Sequence, residues 1–244
     1  MGKGKLEKFA QLDAMPHVVQ PSKEEILGTF RLRGQWKSDF FKSDRPLVVE
    51  LGCGRGEYTV ALARREPDKS YLGIDIKGAR IWKGAKEAQA EGLAQVGFLR
   101  TRIEWLEHAF APGEIDELWI TFPDPQLRWS KLKKRLTHPK FLRLYQQILK
   151  PGGKIHLKTD SPDLYVFTKQ VVELYQLIVH ADTADLYNSS ILSPALQIKT
   201  HYESLDIAGS SRIHYLCFTL PEQIGNQDLD SLLKEKCRPD GAVD

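Results

Sequence analysis

The chain has 244 residues, 41% hydrophobic and 27% charged, with a formal net charge of +3; these ordinary globular values exclude a disordered or fibrous chain, and the length suits one large α/β domain, or two small ones, with a sizeable core. Three widely spaced cysteines, Cys53, Cys217 and Cys237, form no CxxC pair, and no apolar run approaches the roughly 20 residues of a membrane span, so no zinc site, disulfide framework, metal centre or membrane segment is expected. A reducing cytoplasm is the expected location, and a monomer the expected state, since no long apolar patch or heptad repeat advertises an interface.

Residues 1–46 read as a basic, partly helical arm. From Leu47 onward strands and helices alternate: "LVVEL" (47–51), a helix after the glycines, "YLGIDI" (71–76), a long helix from Ala79 to Glu91, "VGFLR" (96–100), "ELWITF" (117–122), the helix "KFLRLYQQIL", and "KIHLKTD" (154–160). That alternation predicts a parallel sheet flanked by helices, a Rossmann-like α/β domain over 47–220. "RIHYLCFTL" (212–220) follows no helix, so it is expected to enter antiparallel, paired with "YQLIVH" (175–180). Residues 221–244 form an acidic-leaning tail.

Ligands of such sheets sit beyond the carboxyl ends of the strands, near the switch in strand order. The segments just after the strands are "ELGCGRGE", Asp75, Arg102 to Glu104, "PDP" and "KTD". In the first, Gly52, Gly54 and Gly56 permit close backbone approach to a nucleotide before a helix N-terminus. A dinucleotide fingerprint would need glycine where Glu57 stands. Glu50, just before the loop, would repel a pyrophosphate but attract a cationic methionine moiety, and Asp75 is placed to accept hydrogen bonds from ribose hydroxyls. These features favour S-adenosylmethionine over a nicotinamide cofactor; a packing turn capped by Asp75 is the plain alternative. Cys53 reads as structural.

The stretch "ITFPDPQLRWSKLKKRLT" (120–137) pins Asp124 between two prolines at a strand end and runs into a basic segment carrying Arg128, Lys131, Lys133, Lys134, Arg135, Lys140 and Arg143. At the active edge of a sheet such a run suits RNA phosphates. Lys3, Lys5, Lys8, Arg31, Arg33 and Lys37 are expected to extend it, with Trp36 or Trp129 available for stacking.

"ELGCGRGE", "YLGIDIK", "ITFPDP" with its basic run, "KPGGKIHLKTD" and "KTHYESLDIAGSSRIHYLCF" together resemble the bacterial tRNA (guanine-N7-)-methyltransferases, from about Leu47 to Phe218. The resemblance implies an S-adenosylmethionine-dependent methyltransferase fold, tRNA as partner and methylation of a variable-loop guanine, without metal. It assigns Asp124 as catalytic and cofactor-contacting; Glu50, Gly52, Gly54, Gly56, Asp75 and the Arg102 position to the cofactor; and Arg128, Asp160, Thr200 and Glu203 to the substrate. Two departures stand out. Gln126, Leu127 and Arg128 replace the family's usual Trp-Pro-Lys, and Arg102-Ile103 replaces an Asp-Ala pair, leaving the adenine to backbone amides or Glu104. Asp160 could instead cap the helix starting near Ser161, and Glu203 could pair with a surface cation. Another acceptor, or a non-catalytic RNA-binding protein on the same scaffold, are the competing functions.

Overall fold

A computed structural model describes residues 3–201, 203–205, 209, 212–225 and 227–238, with the side chains of residues 3–6, 204 and 227 excepted. Tyr202 and the side chains of Lys3 and Lys5 therefore lie outside the described part.

Eight strands form one sheet: β1 (Val18–Val19), β2 (Leu47–Leu51), β3 (Ser70–Asp75), β4 (Val96–Arg100), β5 (Ile115–Thr121), β6 (Leu149–Thr159), β7 (Ile178–Thr183) and β8 (His214–Thr219). Their order is β1-β4-β3-β2-β5-β6-β8-β7. Pairings from β1 through β6 are parallel, whereas β8 runs antiparallel to both β6 and β7. The mostly parallel sheet with an antiparallel late strand is as expected. Strand order reverses between β2 and β5, which places the switch point there.

Helices cover both faces: α1 (Lys3–Asp13), α2 (Lys23–Leu27), α3 (Glu57–Arg65), α4 (Gly78–Ala90), α5 (Leu106–Ala109), α6 (Pro139–Ile148), α7 (Pro162–Leu174) and α8 (Gln227–Lys236). Alternation along the strands divides the core in two. On one face Leu47, Val49, Leu51, Leu72, Ile74, Leu118, Ile120, Ile155 and Leu157 pack against α5, α6 and α7. On the other, Val48, Tyr71, Trp119, Tyr215 and Cys217 pack against α3 and α4. Glu50, Thr121, His156 and Lys158 fall on this second face by the same alternation and are buried.

The residues ahead of Leu47 enter the fold. β1 pairs with β4, α1 packs on α4, and Leu12, Ile26, Leu32 and Trp36 are fully buried. Trp36 donates its Nε1 proton to the Ala109 carbonyl at 2.9 Å, so it is a core residue and not the stacking platform expected. A segment this short hides its structure from periodicity, because β1 has two residues and α2 five.

Candidate active site

All parallel strands end on one edge, and their sequels meet there. The β2–α3 loop turns through left-handed backbone at Gly52, Gly54 and Gly56 (φ 71°, 55° and 70°). At Gly56 a Cβ would lie 2.6 Å from the Phe98 ring and 3.2 Å from the Gly84 backbone, so helix and strand approach closely only because the side chain is absent. A Cβ at Gly52 would meet nothing within 4 Å; here the loop borders open space. Asp75 ties the loop down, its Oδ2 accepting from the Gly54 amide at 2.9 Å and its Oδ1 from the Lys77 amide at 2.7 Å.

Glu50 lies beneath the loop, 3% exposed. Its Oε2 accepts from the amide of Thr59 at 2.9 Å and from the Thr59 hydroxyl, and its Oε1 from the hydroxyl of Thr121, on the strand across the switch point. Burial raises its pKa to about 7, with nearby Asp75 adding repulsion, while the Thr121 and Thr59 donors oppose the shift. Among the described residues no basic side chain partners it in its hydrogen bonds, so the carboxylate is poised to gain from a cation.

At the end of β5 the chain bends sharply. Phe122 and Gln126 both adopt left-handed backbone (φ 47° each). Between them Asp124 is exposed and its Oδ1 accepts from the Gln126 amide at 3.0 Å, an Asx-type turn. The Phe122 amide donates to the Lys158 carbonyl at 2.8 Å, joining the turn to β6. Thus prolines, two unusual φ values and a side-chain hydrogen bond fix the acid at the strand end.

The basic run divides by burial. Arg128, Lys133, Lys134 and Lys140 are exposed. Arg135 is 6% exposed, stacks over Phe167 at 4.6 Å and donates its Nε proton to the Pro125 carbonyl at 3.0 Å. It is a clamp on the Asp124 turn and not the phosphate contact expected. Arg143 pairs with Asp230 of α8 at 2.6 Å. Trp129 donates to the Lys234 carbonyl at 3.2 Å, with the Lys234 ammonium over its ring at 4.6 Å; the second expected stacking residue is therefore engaged by α8. Farther from the run, Lys37 pairs with Asp116 and Arg33 donates to the Glu107 carbonyl.

Arg102 is exposed and its guanidinium stacks over Trp105 at 5.4 Å. Asp160 follows β6, but the N-cap of α7 is Ser161, whose hydroxyl accepts from the Leu164 amide; the capping role considered for Asp160 is filled by its neighbour. Glu203 pairs with the wholly buried Lys158 at 3.1 Å, and not with a surface cation. The Thr200 hydroxyl accepts from the Glu203 amide at 3.2 Å, closing the short turn that holds both.

Four residues that sequence reasoning missed anchor this late segment. The Tyr58 hydroxyl donates to the Ala195 carbonyl at 2.8 Å, and Glu57 accepts from the His201 amide at 2.7 Å while pairing with Lys83. Lys158 and Tyr187 hold Glu203. Glu57 carried a signal, being the residue that broke the dinucleotide fingerprint; Lys158 carried another, a lysine at an inward position of an apolar strand.

Among the described residues no group of three His, Cys, Asp or Glu side chains could hold a metal ion, and no helix is long and apolar enough to cross a membrane.

Residues 44–214 match a family described as "Putative methyltransferase". A tRNA (guanine-N(7)-)-methyltransferase of Porphyromonas gingivalis is 51% identical over 218 residues, covering 89% of this chain and 87% of the relative. A protein of the same description from Geobacillus kaustophilus is 30% identical over 204 residues, covering 84% and 89%. Among solved structures, a 30S ribosomal A1408 methyltransferase from an uncultured bacterium superposes with a TM-score of 0.54 at 16% identity, covering 74% of this chain and 90% of that one. A mutant 16S rRNA (adenine(1408)-N(1))-methyltransferase with cosubstrate SAM, from Catenulisporales acidiphilia, does so with 0.52, also at 16%, covering 78% and 91%. At that identity the likeness concerns the fold.

Proposed function

Because this chain belongs to the tRNA (guanine-N7-)-methyltransferase family, we propose that it transfers the methyl group of S-adenosylmethionine to N7 of a guanine in the variable loop of tRNA. The observation that carries the reading is the exposed Asp124 carboxylate, fixed by its own turn at the edge of the sheet where the glycine loop opens.

The residues present fit a cationic methionine nucleoside. Glu50 is a buried acid with no basic hydrogen-bond partner among the described residues, beneath a loop that borders open space at Gly52. Asp75 keeps acceptor capacity toward a ribose diol beyond its two backbone partners, since each carboxylate oxygen can accept more than once. The Arg102 side chain lies on Trp105, which leaves backbone amides of that turn, or Glu104, for the adenine. When bound, the cofactor supplies an electrophilic methyl group.

N7 of guanine carries a free lone pair at neutral pH, so no residue has to remove a proton. The purine gains positive charge during transfer, and a fixed carboxylate at Asp124 favours that charge while accepting from guanine N1–H and the exocyclic amine. Holding both reactants at one edge supplies the remaining advantage through proximity. Arg128, Lys133, Lys134 and Lys140 are the exposed cations that bind phosphate, with Asp160 and Thr200 beside the target nucleotide. Exposing a stacked guanine costs energy that these contacts offset. We place the enzyme in the cytoplasm with its RNA, as a monomer.

A tRNA transcript carrying 7-deazaguanosine in the variable loop tests the target atom. It should bind like the normal transcript yet accept no methyl group there. Methylation of the deaza transcript at wild-type level would remove N7 as the acceptor.

A further inference from the structure

Lys158 is the one ammonium in the described structure whose side chain is 0% exposed in an ion pair. A buried charge persists only when every donor is matched, and here the partners are specific. Its three N–H donors are shared among four acceptors: the Leu196 carbonyl at 3.1 Å, the Ile198 carbonyl at 2.6 Å, the Glu203 carboxylate at 3.1 Å and the Tyr187 hydroxyl at 3.2 Å. The rings of Tyr58, Phe122 and Tyr187 stand about it with centroids 5.4 to 5.5 Å away.

These partners all serve one stretch of chain. Residues 194–200 run without helix or strand between the sheet and the Glu203 turn, so their carbonyls lack a regular partner ladder. One ammonium satisfies two of them and the carboxylate beyond. The second oxygen of Glu203 accepts from the Tyr187 hydroxyl, and the Glu203 side chain is only 6% exposed, so both oxygens are engaged inside the protein and shielded from an incoming base. At the other end of the same residue, the Lys158 carbonyl accepts from the Phe122 amide, at the start of the Asp124 turn.

We infer that Lys158 is a positioning residue that fixes the 194–203 segment relative to Asp124, and that Glu203 is its counter-ion and not a carboxylate that reads the RNA base. The inference rests on the proposed RNA methylation for its kinetic part only. Substrate contact from this segment then comes from Thr200 and the backbone, held in place by a charge that never touches the RNA.

A double-mutant cycle over Lys158→Met and Glu203→Gln decides it, read by tRNA kinetics, cofactor affinity and hydrogen exchange of peptides within 194–201. Each single variant is expected to lower kcat/KM for tRNA by about tenfold or more while cofactor affinity stays within about twofold, and the double variant should lose little beyond either single one. Exchange at 194–201 should quicken by about tenfold or more in Lys158→Met, with the rest of the sheet unchanged. Losses that multiply in the double variant would show Glu203 touching RNA independently and overturn the assignment, as would unchanged exchange in Lys158→Met. Should that variant fail to fold, Tyr187→Phe keeps the ammonium and removes one Glu203 donor; quicker exchange at 194–201 supports the clamp, and unchanged exchange overturns it. The exchange measurements need neither RNA nor cofactor, so they decide the clamp even if the wild-type enzyme makes no 7-methylguanosine.

Discussion

The Nε of Arg135 donates to the carbonyl of Pro125 at 3.0 Å, so that a residue of the basic run holds the turn that presents Asp124. Its neighbours Lys133 and Lys134 are exposed. Substituting the two kinds of cation should therefore give different signatures. Arg135→Ala leaves the half-buried Pro125 and Gln126 carbonyls without their donor, which costs about 1 kcal/mol, and should lower both melting temperature and turnover while leaving the salt dependence of tRNA binding intact. Lys133→Ala with Lys134→Ala should instead flatten the slope of log affinity against log salt by up to about 1.5, with stability unchanged. Equal salt slopes in wild type and the double lysine variant would return these lysines to a merely solvated face.

Asp124→Asn keeps the turn, because the amide oxygen can still accept from Gln126, but removes the negative charge. Turnover should fall by about 10²–10³, the scale of losing one electrostatic contact to a transition state. Cofactor affinity should stay within about threefold of wild type, measured by titration calorimetry. Full activity in this variant would remove Asp124 from the mechanism.

Glu50 makes cofactor binding and apo stability depend on pH in opposite ways. Its folded pKa of about 7 lies above the unfolded value of 4.5. The protonated form is thus favoured in the folded protein: the contribution is complete below 4.5 and is lost as pH rises toward 7, amounting to about 3 kcal/mol. Glu50→Gln should melt higher than wild type at about pH 8 and show a flatter pH profile. A cation beside Glu50 pulls the proton off, so wild-type affinity for S-adenosylmethionine should rise by up to about tenfold between pH 6 and 7, whereas Glu50→Gln should bind weakly at both. A wild-type affinity independent of pH would contradict this placement of charge.

The ion pair between Glu117 and His156, 3.2 Å apart on the second face of the sheet, should govern stability without governing methyl transfer. Burial opposes ionisation of Glu117, yet His156, Lys69 and Trp119 together bring its pKa down to about 2. Its contribution is present above 4.5 and is lost as pH falls toward 2. Burial likewise opposes charge on His156, but Cys217 and Glu117 raise its pKa, so that contribution is present below 6.5 and fades as pH rises through the raised value. His156→Phe removes one of the groups that hold the Glu117 charge, leaving Lys69 and Trp119, and should cost about 1–3 kcal/mol at neutral pH, with the deficit shrinking in acid. Denaturant titration at several pH values would show it; an unchanged midpoint at neutral pH would rule out a stabilising pair.

Much of this was legible in the sequence because strand ends are marked by chemistry as well as by periodicity. β2 and β4 have the expected bounds, and β3, β5 and β8 differ by one or two residues. The glycine loop, Asp75 and the Asp124 turn stand at the expected edge. What sequence could not show was the fate of each charge. Arg135 and Lys134 are adjacent and identical in formal charge, yet one is buried against Phe167 and the other is exposed. Trp36 and Trp129 were legible as aromatics near cations, but only packing reveals that one is core and the other is held by α8. Glu203 found its cation 45 residues upstream inside the sheet, a pairing that no local sequence pattern announces.

The most direct measurement is transfer from methyl-labelled S-adenosylmethionine to unmodified tRNA, followed by nucleoside analysis of the product. The account predicts label in 7-methylguanosine and in no other nucleoside. Label in a different nucleoside, or none despite measurable cofactor binding, would contradict it and point to the replaced residues from Gln126 to Arg128 as the place where the acceptor changed.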